Sequence, residues 1–249
     1  MQTLYLVITG FGAGILGSVL GLGGGIITVP ALILVFGSSI TEAVGISLLG
    51  VTANSTTSAI DFLRSGRADL GLGLKLETTT VCGALTGGLL AGFISPDVIH
   101  ILFSVVLIYA ALNMARPKSK NPENEMPVYP QHLSVGMWLS FLAGNVSSLL
   151  GVGGGVIKVP VMNMLMKVPL KIATATSSYM VGVTTASGAI IYMMRGDIDF
   201  HKAAPLIIGI FAGSKLGASI SYKINALAIR LLFVAVMLYT AYKLIARAL

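Results

Sequence analysis

Two glycine-rich decapeptides carry the strongest chemical signal in the chain. GLGGGIITVP, from Gly21 to Pro30, recurs as GVGGGVIKVP, from Gly151 to Pro160, with seven of ten positions identical. Glycine tolerates positive φ and close backbone approach. Each run is therefore expected to end one helix and begin another, leaving unpaired amides at the new N-terminus. Such an N-terminus carries about half a positive charge and binds anions through its N–H groups. Gly21, Gly23, Gly24 and Gly25, with Gly151, Gly153, Gly154 and Gly155, are candidate positions for holding one small anion between two turns. The competing reading is that these glycines only let helices cross closely.

Side chains near the turns extend the signal. Lys158 lies three residues past Gly155 and aligns with Thr28 of the first motif, and both are candidate binding positions. A lysine at mid-bilayer costs about 2.5–3.5 kcal/mol on insertion scales, so it requires a cavity or a partner. It is a candidate counter-charge for an anion, the alternative being a side chain that snorkels to the headgroups. Ser47, Asn54 and Ser58 fall on one helical face, and Ser177 and Thr184 repeat the first two positions. Hydroxyls and an amide donate to oxyanions without burying charge, although each could equally bond a neighbouring helix. Lys215 is a second candidate for a buried cation.

The elements that position these residues follow from the repeat. The offset of 130 between the motifs holds without a gap: Ala43 meets Ala173, Ser47 meets Ser177, Gly66 meets Gly196, and Gly83 and Gly87 meet Gly213 and Gly217. The chain divides into an N-terminal repeat (1–117), a polar linker loop (118–132) and a C-terminal repeat (133–249). Each repeat holds a Gly-interrupted pair of apolar segments followed by three long ones. A spanning helix needs about 20 apolar residues. The three long segments suffice, whereas Ile26–Phe36 and Val156–Met166 do not. The expected fold is an all-α polytopic membrane protein of two homologous repeats, each with a discontinuous, re-entrant helix pair plus three spanning helices. Paired Gly-interrupted segments favour inverted repeats. Lysine and arginine counts do not separate inverted from parallel copies, but both arrangements put Arg64, Arg67, Lys75, Arg116, Lys118 and Lys120 on one side, which the positive-inside rule makes cytoplasmic.

Composition agrees. Hydrophobic residues make up 55%, glycines number 30, and only 10% of residues are charged, against about 25% in soluble domains. Mean hydropathy is +0.90. This excludes a soluble enzyme and a nucleic-acid reader, and assigns the net charge of +7 to loops. The first segment has no basic flank or cleavage site and is read as a permanent helix. No cofactor or metal motif is present; His100, His132 and His201 are isolated near loops. GAGILG (Gly12–Gly17) lacks the preceding strand of a dinucleotide site, and GLGGG lacks the GK[ST] tail of a phosphate loop. The single cysteine, Cys82, is read as a buried, inert thiol. Asp61, Arg64, Asp69, Arg195, Asp197 and Asp199, around Gly66 and Gly196, are read as caps and ion pairs. No carboxylate is placed mid-span, since Glu42, Asp61 and Glu77 fall near segment ends.

With GLGGGIITVP, GVGGGVIKVP and the ATATSS run from Ala173 to Ser178, the sequence resembles the TauE/SafE family of sulfite and organosulfonate exporters over its whole length. The resemblance implies an inner-membrane carrier for small sulfur-containing anions, its partners being that anion and the lipid bilayer. A secondary transporter working at a site between the repeats is expected. A passive anion channel or an intramembrane thiol-dependent enzyme is the alternative.

Overall fold

The computed structural model describes all residues other than 21–22, 65, 67, 116–129, 221–225 and 249. Gly21, Arg67, Lys223 and most of the linker, with Arg116, Lys118 and Lys120, lie outside the described residues. The described part is helical: α1 (Gln2–Leu20), α2 (Gly25–Leu34), α3 (Ile40–Arg64), α4 (Leu70–Leu90), α5 (Pro96–Ala115), α6 (Leu133–Leu150), α7 (Gly155–Pro160, continued by a π-helical turn, Val161–Leu165), α8 (Leu170–Met194), α9 (Phe200–Ile220) and α10 (Ala226–Ala248). Local chemistry sets several ends. The Asp69 carboxylate accepts from Leu72 N at 2.9 Å and starts α4, and Asp199 accepts from His201 N at 2.8 Å ahead of α9. Gly151, at φ 69°, closes α6 with its N–H on the Ser147 carbonyl. The copies differ in one respect. Pro30 sits within an α-helix, whereas Pro160 ends one and the chain loosens into the π turn.

Solvent preference is inverted relative to a soluble protein. Leu4, Ile8, Phe93, Trp138, Leu142, Ile208, Phe211 and Tyr239 are exposed, while Thr28, Ser47, Asn54, Glu77, Lys158, Ser177, Thr184 and Ser214 are buried. Among the described residues three helices, over Ile40–Ile60, Pro96–Asn113 and Leu133–Leu150, are long and apolar enough to cross a membrane on those criteria alone.

The copies are interleaved. α1 packs on α9, and α4 packs on α6, so the first helix of each copy lies against the fourth of the other. Glycines set the closeness of both contacts, and equivalent residues make them. A methyl at Gly83 would strike the Phe141 carbonyl, and one at Gly213 would strike that of Phe11. Gly144 meets the Thr80 carbonyl as Gly14 meets that of Ile210. Residue numbers rise together across both contacts, so each pair is parallel.

Helices α3 and α8 cross at the centre in the opposite sense. Thr52 and Thr185 share a hydrogen bond of 2.8 Å. A Cβ at Gly182 would lie 3.4 Å from Ser55 Cβ, one at Gly188 3.4 Å from Leu48 Cδ1, and one at Gly45 3.2 Å from Tyr192 Cβ. Numbers rise on one helix as they fall on the other, so the pair is antiparallel. Shifting each member by the repeat offset converts the pair Thr52/Thr185 into Gly182/Ser55, which also touches. A pseudo-two-fold axis therefore passes between the two helices here, perpendicular to them.

Candidate functional site

Both glycine turns arrive at this crossing. Gly23 and Gly24 have φ of 76° and 82°, and Gly153 and Gly154 have 84° and 68°. Cβ-bearing residues rarely adopt such values. A Cβ at Gly23 would lie 2.7 Å from Val51 Cγ1, and one at Gly153 would lie 2.8 Å from both Val51 Cγ1 and Val181 Cγ1. A methyl at Gly25 would strike the Gly151 carbonyl of the other motif, and Ser47 Oγ donates to that same carbonyl at 2.7 Å. The described parts of the two motifs are thus in direct contact. Helix α2 then doubles back along α3: Gly25 sits beside Val51, and Leu34 precedes α3 by a short loop. The first backbone amides of α2 to find a carbonyl are those of Ile27 and Thr28, both on Gly24; in α7 they are Ile157 and Lys158, both on Gly154. The amides before them end each helix without an intrahelical partner.

Two polar clusters flank the turns, and they share one pair of repeat-equivalent positions, Asn54 and Thr184. Beside the first, Asn54 Oδ1 accepts from Ser18 Oγ at 2.8 Å and Ser214 Oγ at 2.7 Å. That use of the carbonyl leaves the amide NH2 as the donor facing Gly17. A small cavity here, about 10 Å³, is lined by Gly17, Gly23, Asn54, Ser55, Ser58, Ser178 and Val181. Thr28 does not reach it and donates to Gly24 O at 3.1 Å.

Beside the second turn the cluster is charged. Lys158, 2% exposed, places Nζ 3.2 Å from Glu77 Oε2 and 2.6 Å from Thr184 Oγ1, and Thr184 Oγ1 lies 2.6 Å from Glu77 Oε1. Lysine, carboxylate and hydroxyl close a three-membered ring. The Ser147 and Ser177 hydroxyls are buried without a hydrogen-bond partner among the described residues, and Ser147 Oγ stands 3.6 Å from where a Cβ on Gly154 would be.

Three sequence expectations are corrected. Glu77 is not at a segment end: the Asp69 cap starts α4 at Leu70, which places Glu77 two turns into the helix and against the middle of α8, 4% exposed. Lys215 is exposed, so it is not a buried cation, and Cys82 is exposed instead of buried. Of the predicted site residues, Gly23–Gly25, Gly151, Gly153–Gly155, Ser47, Asn54, Lys158 and Thr184 come together around the crossing; Ser177 is buried on α8, Thr28 turns its hydroxyl to Gly24 O, and Gly21 lies outside the described residues. Ser18, Ser55, Glu77 and Ser214 were not singled out by sequence. Asp69 beginning LGLGLKLE was the available signal for Glu77.

A second, open groove of about 400 Å³ lies between the α2–α3 and α8–α9 loops. Of its lining charges, Lys202 pairs with Glu42 at 2.8 Å and Asp197 with Arg195 at 2.9 Å, while Asp199 caps α9 and Arg195 also bonds the Gly88 carbonyl. Among the described residues no cluster of His, Cys, Asp and Glu has metal-binding geometry.

An apolar exterior around a buried polar centre, reached by two broken helices, defines an integral membrane protein of polytopic helical type. The chain belongs to the sulfite exporter TauE/SafE family of membrane transporters, which it matches over residues 6–244. It is similar to the probable membrane transporter protein YunE of Bacillus subtilis, 29% identical over 98% of both chains. It is likewise similar to probable membrane transporter proteins MJ0441 of Methanocaldococcus jannaschii, 30% identical over 93% of this chain and 91% of the relative, and YfcA of Escherichia coli, 24% identical over 94% and 86%. No solved structure matches.

Proposed function

We propose that the protein is a secondary transporter of small sulfur oxyanions or organosulfonates, bound at the meeting point of the two glycine turns. The observation that carries this is the contact between the turns. They bring helix-end amides without intrahelical partners to the crossing, with the Asn54 NH2 and the Ser55 hydroxyl beside the first turn and Lys158 beside the second. These groups are donors, as an oxyanion requires. The sulfur class comes from the family; the donors select for charge and oxygen geometry only.

The repeats are inverted in the membrane in this proposal. Two equivalent spanning helices that cross antiparallel are related by an axis in the membrane plane, and α3 and α8 cross in that way. The α1–α2 hairpin then enters from the side where α3 begins, and the α6–α7 hairpin from the linker side. Arg64, Lys75, Lys167 and Lys171 join the linker cations on one side, against Arg195, Lys202 and Lys243 on the other. The linker side is therefore cytoplasmic, in a bacterial or archaeal plasma membrane. A cavity of about 10 Å³ holds no more than one water, so the conformation described is closed. Opening moves a hairpin together with the helix it grips, α1–α2 with α9 or α6–α7 with α4, because interleaving prevents each repeat from moving as one body.

Counterflow in proteoliposomes tests the function. Vesicles loaded with sulfite or methanesulfonate are expected to take up the labelled anion saturably. Asn54→Leu, which removes a donor and blocks the cavity, should reduce that rate by about ten-fold or more, one lost hydrogen bond to a charged group being worth 1.5–3 kcal/mol. Absence of counterflow with both anions refutes the proposal.

A further inference from the structure

Transport of an anion through this centre poses a charge problem that the Lys158–Glu77–Thr184 ring answers. The ring as it stands is neutral overall, a buried ammonium balanced by a buried carboxylate 3.2 Å away. Glu77 already occupies the donors an incoming oxyanion would use, Lys158 Nζ and Thr184 Oγ1. An anion arriving beside the intact pair would add a net negative charge in a medium that solvates it poorly. An anion that displaced an ionised Glu77 would leave that carboxylate buried without its partner.

We propose that Glu77 takes up one proton each time an anion replaces it on Lys158, so that the protein moves anion and proton together. The proton comes from water on the open side and forms an O–H bond on a Glu77 carboxyl oxygen. The neutral carboxyl lets go of the ammonium, and the anion takes its place. Buried charge is zero before and after. Release on the other side reverses the sequence: the anion leaves, the proton leaves for water, and Glu77 returns to Lys158. The assignment rests on the transport function proposed above and adds its coupling ion.

The surroundings of Glu77 leave this role to one residue. Of the helices packed against α4, α6 has no titratable side chain, and α8 presents Thr184 at Glu77 and Tyr179 a turn away beside Gly73. Lys158, on α7, is the charged group facing it among the described residues. On α4 itself Lys75 and Cys82 are exposed. The repeat supplies an internal comparison. The positions equivalent to Lys158, Glu77 and Thr184 are Thr28, Ile207 and Asn54, so the first copy keeps hydrogen-bonding groups but has neither charge. The first copy takes up the same arrangement of helices without the pair, which the second copy alone carries.

The test uses the whole protein in proteoliposomes, with membrane potential clamped at zero and methanesulfonate as probe, a strong acid that brings no proton of its own. With the lumen alkaline, one-to-one coupling accumulates the probe about ten-fold per pH unit. Glu77→Gln should still exchange the anion, with a lowered apparent KM because Lys158 has lost its internal competitor, but should show no accumulation driven by pH. Glu77→Asp should restore that drive. Sulfite is run in parallel, where the difference between wild type and Glu77→Gln isolates the proton carried by the protein. Counterflow without any response to the pH gradient in the wild type overturns the role of Glu77 and leaves the transport function standing, as does undiminished accumulation by Glu77→Gln. Should Glu77→Gln fail to yield monodisperse protein, the uncharged pair Glu77→Gln/Lys158→Met takes its place, and accumulation by it is equally fatal. No counterflow with either anion removes the function and the coupling together.

Discussion

Replacing Lys158 by Met keeps the unbranched side chain as far as Cε and removes the charged Nζ, which isolates the energetics of the buried ring. Glu77 is 4% exposed and Lys158 2% exposed, so neither gains water when the other is lost. Breaking a buried pair from one side costs about 3–5 kcal/mol, because the remaining charge is uncompensated. Thr184 Oγ1, 2.6 Å from Glu77 Oε1, still donates to the carboxylate and sets the cost toward the lower end of that range. At about 2–4 °C per kcal/mol for a chain of this size, Lys158→Met should melt roughly 6–15 °C below wild type. Adding Glu77→Gln removes the stranded charge, and the double variant should recover to within about 1 kcal/mol of wild type, since isosteric replacement of a buried pair is often neutral or better. Loss of monodisperse protein on size-exclusion chromatography after heating is the suitable assay. Thiol-reactive dyes are not, because Cys82 is exposed in the folded state. A single variant that melts with wild type, or a double variant whose loss is the sum of both singles, would show that the ring carries no coupling energy.

Two further outcomes follow from the fold. Gly25→Ala drives a methyl into the Gly151 carbonyl and against Val51 Cγ2 at 2.9 Å; it should lower counterflow at least ten-fold while Gly12→Ala, whose Cβ would meet nothing within 4 Å, leaves it at the wild-type rate. In a Cys82→Ser background, single cysteines at Ser39 and at Lys167 should be labelled by a membrane-impermeant maleimide from opposite faces of oriented vesicles; labelling from one face would require parallel copies.

Much of the architecture was legible because duplication writes itself into spacing. The offset of 130 predicted which glycines would correspond, and the same offset reappears in space as matched helix contacts at Gly83 and Gly213 and at Gly14 and Gly144. Periodicity also placed Ser47 and Asn54 on the face of α3 that meets the other copy. What spacing does not encode is which helix grips which. Nothing in the residues of α1 distinguishes α4 from α9 as its neighbour, since both offer the same Gly-x-x-x-Gly ridge, so the interleaving emerged only in three dimensions. Glu77 was misplaced for a different reason. Hydropathy delimited its segment from the apolar side and so put Glu77 near the segment's end, whereas the helix is delimited by hydrogen bonding from Asp69. Lys215 and Cys82 were misjudged because helical phase, not hydropathy, decides which residues face outward, and neither lies on the glycine ridge that α9 or α4 turns inward.

The asymmetry between the two copies can be reversed by substitution, and doing so tests whether the pseudo-symmetry extends to energetics. Thr28, Asn54 and Ile207 occupy in the first copy the places of Lys158, Thr184 and Glu77 in the second. Thr28 is buried, 1% exposed, so Thr28→Lys alone inserts an unpartnered ammonium near the centre and should destabilise the protein by about 2.5–3.5 kcal/mol, the cost of a lysine at mid-helix. If the positions are equivalent in space, Ile207→Glu supplies the missing carboxylate from α9 as Glu77 does from α4. The pair Thr28→Lys/Ile207→Glu should then recover most of that loss even though Ile207→Glu by itself adds an unpaired charge at a partly buried position. Two changes that each harm the protein and together spare it are explained by contact between them and by little else. Equal or additive loss in the double variant would mean that the repeats agree in backbone only, and that the charged centre depends on the π turn after Pro160, which the first copy lacks.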